Sequence, residues 1–549
     1  MAQARERGYR HRDHPPRADA PNRPLPRGFR AVIETSPSRL ARDSAVVGAA
    51  TVASRLLGFA RDVLIARLLG GGPVADAFLA ALRLPNLVRR VLGEGGLNAP
   101  FVPLYLAVKN DKGNGAALRF AGEATGHLGL LLLLLVAFGE FFAPWLVLGL
   151  ASGFADEPET LALAASYTRL MLPFLLLTTL AALLAALLNA ERRFAVAALA
   201  PALMNAILLA LLLVLHVTGA APEVGARWLA LCVSLTGLAH LAMILISLHG
   251  LALPRPSLRW SPEMARLIRT GGATLLAASA AQLVLLVATQ IASSEPGAVA
   301  ALYYADRVFQ LPLGFVGVAM GTVVLSDMAL AAHRGGPDAM LGQSLALGLA
   351  LALPAATALV ALAEPIVSAL FEYGRFDAGD RERTAAALAA FGCGLPFAVV
   401  AKVFGQVYFA RSLPRLPLIS GGLAVLVAVL AGFLLPGGRN AAQMAALAAT
   451  LAFAVQTLML GIALLRDGIW RPSFGNLRPI AASLAASALM LGVLVLLLRL
   501  LAVPLMAGQP TFHRVGALGL LCLAGLVSYG TAGWVLGAFG ALPLRKRRA

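Results

Sequence analysis

Residues 54–105 read SRLLGFARDVLIARLLGGGPVADAFLAALRLPNLVRRVLGEGGLNAPFVPLY, two apolar segments long enough for membrane-spanning helices and separated by a glycine run. Both segments carry charges within the apolar run: Arg55, Arg61, Asp62 and Arg67 in the first, and Asp76, Arg83, Arg89, Arg90 and Glu94 in the second. A charged side chain at the centre of a bilayer costs about 2.5–3.5 kcal/mol on insertion scales. Such residues face a protein interior or a water-filled cavity, and we therefore expect the two helices to line a polar cavity.

The composition is that of a polytopic membrane protein, since 59% of the 549 residues are hydrophobic and 13% are charged. Lys and Arg (45) exceed Asp and Glu (27), which gives a net charge of +18. In a membrane protein this excess is typical of basic loops held in the cytoplasm, so no nucleic-acid partner is expected. Cys232, Cys393 and Cys522 lie scattered in apolar segments at spacings that fit neither a disulfide framework nor a metal site.

Apolar segments of about 20 residues or more recur from residue 46 onward and predict an all-α fold with about fourteen transmembrane helices. The predicted spans are 46–69, 75–107, 119–150, 159–188, 195–218, 226–250, 263–294, 298–331, 341–372, 381–411, 416–436, 440–466, 477–504 and 512–541. Basic residues concentrate in every second connection, which predicts that both termini are cytoplasmic. Residues 1–44 lack the apolar core of a signal peptide and are predicted to be a disordered basic cytoplasmic tail, with a second basic tail at 542–549.

Two proline landmarks recur at a nearly constant offset. Leu84-Pro85 corresponds to Leu311-Pro312, and the LPF sequence at 172–174 corresponds to that at 395–397. Because six helices separate the members of each pair, orientation is preserved and the two halves are predicted to be parallel repeats. The predicted organisation is an N-lobe at 45–255 (six helices), a C-lobe at 256–470 (six helices) and two further helices at 471–541. The two lobes would surround a central cationic cavity, as alternating-access transport requires.

Basic side chains outnumber acidic ones along the first two helices, and this excess predicts an anionic ligand. Phosphate or diphosphate suits arginine best, because the guanidinium group makes bidentate, charge-assisted hydrogen bonds. Arg55 and Asp62 are seven residues apart and share a helix face, whereas Arg61 projects about 100° away. The predicted ligand-binding residues are Arg55, Arg61, Arg89 and Arg307.

The acidic residues of these helices are expected to orient arginines or to gate the cavity, with a proton relay as the alternative role for Asp62 and Asp76. Asp76, Arg83 and Arg90 recur every seven residues, and Glu94 follows four residues later, so that acid and base could pair within the bundle. The predicted supporting or gating residues are Asp62, Asp76, Arg90, Glu94, Asp306 and Asn86.

Several segments together resemble one known family. They are SRLLGFARD (54–62), ADAFLAALRLPNLVRRVLGEGGLNAPFVP (75–103), LLNAERRFAVAALAP (187–201) with Asn205, YYADRVFQLPLGFVGVAMGT (303–322) and LFEYGRF (370–376). From about residue 46 to 540 the chain resembles the MurJ (MviN) family of lipid II flippases. This resemblance implies the fourteen-helix fold of the multidrug/oligosaccharidyl-lipid/polysaccharide exporter superfamily.

The resemblance also implies site residues. By motif, the family's essential arginines, which meet the lipid II diphosphate in a cationic cavity, correspond to Arg55, Arg61, Arg89 and Arg307. Asp62, Asp76 and Glu94 match further polar positions of the family. Family members described as sodium-binding use an acidic residue within the seventh helix. The interior of 264–294 contains no Asp or Glu, so this ion site is not predicted here.

The function implied is that of a lipid II flippase, not an enzyme. Such a protein moves the undecaprenyl-diphosphate-linked peptidoglycan precursor from the inner to the outer leaflet of the bacterial cytoplasmic (inner) membrane by alternating access. Expected partners are lipid II, membrane lipids and the cell-wall synthesis machinery, and no cofactor or metal is expected. Two alternatives stay open: a related exporter of drugs or of another polyprenyl-linked glycan, and a membrane glycosyltransferase or lipid phosphatase. The enzyme would need acidic metal ligands or a histidine site on a large outer loop, and the predicted outer loops are short.

Overall fold

The computed structural model describes residues 37–89, 98–331, 337–411, 413, 415–434, 440–472, 474–501, 505 and 509–541. Within these ranges all regular secondary structure is helical, with seventeen α-helices and two short 3₁₀ helices, Ser152–Asp156 and Ala538–Ala541. The α-helices are α1 (Pro37–Leu69), α2 (Pro73–Arg89), α3 (Asn98–Lys112), α4 (Asn114–Phe141), α5 (Ala143–Leu150), α6 (Pro158–Ala190), α7 (Phe194–Val217), α8 (Pro222–Ser247), α9 (Pro262–Ala292), α10 (Ala298–Ala331), α11 (Pro337–Ala361), α12 (Ala363–Phe371), α13 (Ala378–Ala410), α14 (Arg415–Leu434), α15 (Ala441–Arg466), α16 (Phe474–Leu500) and α17 (Thr511–Leu536).

The chain divides into two units, residues 1–45 and 46–549. Of the first unit, only the start of α1, from Pro37, lies within the described residues. The predicted tails at 1–44 and 542–549 therefore lie almost wholly outside them. All that follows concerns the second unit.

Ten helices in the described part of the chain are long and apolar enough to cross a membrane: α4, α6, α7, α8, α11, α13, α14, α15, α16 and α17. The predicted all-α fold is confirmed, and the chain is a multi-pass membrane protein. Each of the fourteen predicted spans contains at least one described helix, but the count of fourteen stays a prediction.

Within the described residues, the predicted span 75–107 contains both α2 and α3, and two further spans are each interrupted at a single residue. The span 119–150 consists of α4 and α5, with Phe142 between them, and 341–372 consists of α11 and α12, with Leu362 between them. Pro144 and Pro365 lie in the first turns of α5 and α12. Proline has no N–H to donate to the preceding turn, so each helix restarts at its proline-containing turn. The prediction of one continuous helix in each place was wrong.

The helices that contain the proline landmarks have corresponding neighbours in the two halves of the chain. Pro85, Pro173, Pro312 and Pro396 all lie inside helices, namely α2, α6, α10 and α13. Helix α2 packs against α6, and α6 against α8; correspondingly, α10 packs against α13, and α13 against α15. The boundaries of the two predicted lobes stay a prediction.

Small residues allow the helices of the second half to approach closely. A stripe of alanines on α15 is fully buried: Ala442, Ala445, Ala446, Ala449 and Ala452. On the facing helix, a Cβ added to Gly394 would lie 2.5 Å from Oγ1 of Thr450. Small side chains are the usual means by which membrane helices bring their backbones together. This close packing supports α10, which carries half of the candidate site.

Candidate functional site

The centre of the charged region is the carboxylate of Asp62 on α1, which is 2% exposed. Its Oδ1 lies 2.6 Å from Nη2 of Arg61, and its Oδ2 lies 3.2 Å from Nε of Arg307 on α10. Nη2 of Arg307 also donates to the hydroxyl of Tyr303 at 2.9 Å, and its guanidinium lies over the Tyr303 ring, 4.5 Å from the centroid. One acidic side chain is therefore shared by two arginines from different halves of the chain.

Arg61 and Asp62 are neighbours on α1, and their Cα–Cβ directions diverge by about 100°, as helix geometry predicts. The long arginine side chain nevertheless folds back, so that Nε donates to Asp62 Oδ1 at 2.9 Å. Its Nη1 donates to Oδ1 of Asn205 on α7, also at 2.9 Å. Asn205 in turn donates to the carbonyl of Ser54 at 3.0 Å, which ties α7 to α1 beside the arginine.

Arg55 lies on the same side of α10 as Arg307. A Cβ added to Gly314 would lie 2.3 Å from Nη1 of Arg55, so the guanidinium rests directly on this glycine. Gly314 follows Arg307 by seven residues, two helical turns or about 10 Å along α10. Arg55 precedes Asp62 by the same interval, so α1 and α10 run antiparallel with two points of contact. The absence of a side chain at Gly314 provides the room for Arg55.

A small, partly open cavity adjoins this cluster. Its polar lining comes from α2, α9 and α10 and consists of Arg83, Asn86, Gln282, Tyr303, Asp306 and Arg307. Asp306 accepts a hydrogen bond from Gln310 at 2.5 Å, and Arg83 donates to the carbonyl of Leu285 at 3.0 Å. Two predicted supporting residues, Asn86 and Asp306, are thus placed beside the predicted ligand-binding Arg307.

The other residues predicted for the site from the second apolar segment do not join the cluster around Asp62 within the described part of the chain. Arg89 ends α2 and lies near His240 of α8. Arg90 and Glu94 lie outside the described residues. Asp76 does not pair with Arg83 along the predicted stripe, because its carboxylate is used at the other end of α2. The prediction that Asp76 pairs with a basic residue along one face of α2 was therefore wrong.

Asp76 caps the N-terminus of α10. Its Oδ2 accepts from the backbone N–H of Gly297 at 2.6 Å, and its Oδ1 accepts from that of Ala300 at 2.7 Å. The first N–H groups of a helix have no partner within the helix, and the helix dipole favours negative charge there. Asp76 is 1% exposed, so these two bonds satisfy a fully buried carboxylate. They join α2 to α10 at the end of the bundle that contains the α1–α2 turn.

At the same end of the bundle, Asp380 is a second buried aspartate that accepts a hydrogen bond from the backbone N–H of a glycine on another element. Its Oδ2 accepts from the N–H of Gly71 at 2.9 Å, and its Oδ1 accepts from Nη2 of Arg383 at 3.0 Å. Asp380 also belongs to the capping box that begins α13. A Cβ added to Gly71 would lie 2.3 Å from Asp380 Oδ1, and one added to Gly297 would lie 2.4 Å from the carbonyl oxygen of Gly71. We call this contact, formed by Gly70, Gly71, Asp76, Gly297 and Asp380, the glycine seal.

The glycine seal joins the α1–α2 turn, α2, α10 and α13 at one end of the bundle. Beneath it, the hydroxyl of the fully buried Tyr304 donates to the carbonyl of Gly70 at 3.1 Å. The backbone N–H of Arg375 donates to the carbonyl of Arg67 at 3.1 Å. The charged cluster around Asp62 lies two turns below the seal on α1. Within the residues that the structure describes, no group of three or more His, Cys, Asp or Glu side chains is placed to hold a metal ion.

The sequence matches a family model for the lipid II flippase MurJ over residues 65–512. The chain belongs to the MurJ family. A protein of Rhizobium meliloti (strain 1021) named as a probable lipid II flippase MurJ is 37% identical over 510 residues, which cover 91% of this chain and 94% of that protein. The lipid II flippase MurJ of Burkholderia cenocepacia is 32% identical over 440 residues, or 78% of this chain and 84% of that protein.

Solved structures show the same fold. A lipid II flippase MurJ in an inward closed conformation superposes with a TM-score of 0.74 at 22% identity, covering 89% of this chain and 98% of that one. An inward-facing multidrug transporter of the MATE family, within the MOP superfamily, gives a TM-score of 0.58 at 18% identity, covering 76% of this chain and 94% of that one. The MurJ family fold expected from the sequence is therefore confirmed.

Within this MurJ-family fold, the structure brings Arg55, Arg61, Asp62 and Arg307 to one side of α10 and places Asp306 and Asn86 beside them. Two contributors carried no assigned role in the sequence analysis. In the sequence, Asn205 was noted only alongside a segment that resembles the family, and Tyr303 only as part of the YYADR motif that contains Arg307. Asn205 contacts Arg61 from a helix 144 residues later in the chain, and the sequence spacing gives no signal of this contact. Tyr303 precedes Arg307 by four residues on the same helix, a spacing that places the two side chains on one face.

Proposed function

We propose that this chain moves lipid II from the inner to the outer leaflet of the bacterial cytoplasmic membrane by alternating access. Membership of the MurJ family supports the substrate, and the multi-pass fold supports transport across a membrane. The observation that carries the mechanism is the convergence of Arg61 and Arg307 on a single carboxylate, that of Asp62. Arg61, Arg307 and, two turns away along α10, Arg55 carry three positive charges, whereas Asp62 and Asp306 beside them carry two negative charges.

This excess of positive charge suits the diphosphate of lipid II. Arginine binds phosphate oxygens through paired N–H groups, and such bonds are strong where water is excluded. In the proposed complex, Arg55, Arg61 and Arg307 contact the diphosphate, and Arg89 contacts it from the end of α2. The bound diphosphate takes over from Asp62 as the counter-charge of the two arginines. The adjoining cavity, lined in part by Asn86, Gln282 and Asp306, lies beside the proposed diphosphate site.

The glycine seal supports an alternating-access cycle in which the two lobes move against each other. It joins α2 to α10 and the α1–α2 turn to α13, so each of its contacts links the two predicted lobes. If both termini are cytoplasmic, as proposed, the seal lies on the outer side of the membrane, and its contacts hold the two predicted lobes together there. Release of the headgroup to the outer leaflet would require the bonds from Asp76 and Asp380 to break. Gly70, Gly71 and Gly72 are the proposed hinge.

Complementation tests the function and its substrate together. Cells depleted of their own lipid II flippase are supplied with this chain, and lipid II exposed on the outer face is measured together with growth. Restoration of both is the expected result. If the protein is inserted in the membrane at normal level yet restores neither, lipid II is not its substrate. Export of another polyprenyl-linked glycan or of a drug would then be measured in the same cells.

Proximity to the cell-wall synthesis machinery is a further part of the proposal, because lipid II must be handed to enzymes that consume it outside the cytoplasm. Cross-linking in cells that express a functional tagged chain tests it. Enrichment of peptidoglycan polymerases over other abundant membrane proteins is expected. Equal recovery of both groups would contradict such a partnership.

A further inference from the structure

The connection between α8 and α9 is an extended segment that we call the strap, residues 251–261, LALPRPSLRWS. Pro254 and Pro256 keep this segment out of helical conformation, because proline fixes its own φ angle and disfavours a helical residue before it. The strap is the covalent link between the two predicted lobes. It lies at the end of the bundle opposite the glycine seal, four residues after α8 completes its apolar span at Ser247.

The backbone of the strap is held tightly against α4. The N–H of Ser257 donates to the carbonyl of Gly122 at 3.0 Å. A Cβ added to Gly122 would lie 2.2 Å from the carbonyl oxygen of Arg255, and one added to Gly126 would lie 2.3 Å from that of Ser257. Only glycine at these two positions leaves room for the strap. Its conformation is therefore fixed by packing and is not that of a loose connection.

The end of the strap is fixed as well. The hydroxyl of Ser261 donates to the carboxylate of Glu123 on α4 and accepts from the N–H of Met264, which caps α9. The Trp260 ring packs edge-on against His127 of α4, with 5.3 Å between the ring centroids. The position of Trp260 is thus determined by the protein even though most of its surface is free.

The outward side of the strap alternates apolar and basic side chains. Leu253, Leu258 and Trp260 are 57%, 58% and 61% exposed, and Arg255 and Arg259 are also exposed. Among the residues that the structure describes, neither arginine forms an ion pair with an acidic side chain. Tryptophan and leucine beside unpaired arginines are typical of protein segments at the level of lipid headgroups, where the rings enter the boundary layer and the cations meet anionic lipid.

We infer that the strap binds anionic phospholipid headgroups. Arg255 and Arg259 contact the phosphodiester groups, and Leu258 and Trp260 enter the layer between the headgroups and the acyl chains. The predicted topology assigns this site to the inner leaflet. The inference does not depend on the identity of the transported substrate. Its consequence is that the segment connecting the two lobes is attached both to α4 and to the membrane surface.

Fluorescence quenching of Trp260 tests this inference in the full-length protein. Trp145, Trp228, Trp470 and Trp534 are replaced by Phe, and the protein is reconstituted in vesicles. One set contains phosphatidylglycerol brominated on its acyl chains, and the other contains brominated phosphatidylcholine at the same mole fraction. We expect stronger quenching by brominated phosphatidylglycerol, because each arginine enriches anionic lipid about fivefold at the surface. The excess should disappear in the R255Q/R259Q variant.

The control is Arg227→Gln, which removes an exposed arginine from the opposite end of α8. This variant should keep the preference for phosphatidylglycerol. Equal quenching by the two lipids in the parent protein would overturn the inference. Absence of quenching by either lipid would also overturn it and would show that the strap faces water or a protein partner.

A second measurement leaves all five tryptophans in place. Native mass spectrometry of the unmodified protein, R227Q and R255Q/R259Q counts phosphatidylglycerol molecules retained from an equimolar mixture with phosphatidylcholine. We expect R255Q/R259Q to retain fewer phosphatidylglycerol molecules than either the unmodified protein or R227Q. The same count in all three proteins would contradict the inference.

Discussion

Asp62 on α1 and Arg307 on α10 form an ion pair, with 3.2 Å between Oδ2 and Nε, that joins the two halves of the chain. The same carboxylate binds Arg61, the residue next to it in sequence, at 2.6 Å. Such an arrangement holds two guanidinium groups close together in a buried site. It explains how an arginine cluster is stable before an anionic ligand arrives.

Replacing Asp62 by Asn should destabilise the protein. Among the described residues, Asp62 is the one acidic side chain that pairs with Arg61. Its loss leaves Arg61 and Arg307 as neighbouring positive charges. Breaking a buried ion pair by removing one partner costs about 3–5 kcal/mol. Thermal unfolding in detergent should therefore occur at a lower temperature than in the parent protein. Asp156→Asn, at an exposed position, should leave the unfolding temperature unchanged, and equal unfolding temperatures for D62N and D156N would contradict this account.

Inorganic pyrophosphate should raise the unfolding temperature of D62N by more than that of the parent protein. In the parent, the anion competes with Asp62 for the two arginines, whereas in D62N it meets them without a competitor. The measurement is a thermal shift over a pyrophosphate series, with sodium sulfate at matched ionic strength as the control. A larger shift in the parent protein would argue against an anion site between Arg61 and Arg307.

Asn205→Ala should impair transport more than stability. Asn205 holds Nη1 of Arg61 at 2.9 Å and anchors to Ser54, so its loss frees the guanidinium from its fixed direction. Loss of one ordinary hydrogen bond costs about 0.5–1.5 kcal/mol. The lipid II exposure assay should show reduced transport at normal protein level, while Asn114→Ala, at an exposed position, should behave as the parent protein. Full transport by N205A would show that the orientation of Arg61 is not needed.

Gly71→Ala should open the glycine seal, and the neighbouring Gly72→Ala should not. A methyl group at Gly71 would lie 2.3 Å from Oδ1 of Asp380, whereas nothing lies within 4 Å of the corresponding position at Gly72. The readout is the rate at which a membrane-impermeant thiol reagent labels A301C, a buried position on α10, with the three native cysteines replaced by Ala. Labelling should be faster in G71A than in G72A. Equal rates would mean that the seal does not control access.

Asp76→Ala should weaken the same seal through the start of α10. Two N–H groups lose their acceptor, and loss of a helix cap costs about 0.5–2 kcal/mol. A lower unfolding temperature and faster labelling of A301C are expected together. Glu159→Ala removes an exposed carboxylate from the first turn of α6 and is the matched control. A D76A protein as stable and as slowly labelled as E159A would refute the capping role.

The sequence predicted the fold class and much of the cluster because both depend on local patterns. Apolar segments of membrane-spanning length mark the helices, and charges inside them mark the polar interior. The contacts of Asp76 could not be predicted in this way, since its two N–H partners lie more than 220 residues later in the chain. The same holds for Asn205 beside Arg61 and for Gly122 beneath the strap. Their roles depend on which helices become neighbours, and periodicity within one helix carries no information about that.

The most direct test of the proposed diphosphate site is lipid II exposure in flippase-depleted cells that express Arg61→Ala. The control variant is Arg227→Ala, an exposed arginine near the start of α8, and both proteins must reach the membrane at equal levels. We predict that R227A restores lipid II exposure and growth while R61A restores neither. Full restoration by R61A would show that the arginines around Asp62 do not bind the transported diphosphate.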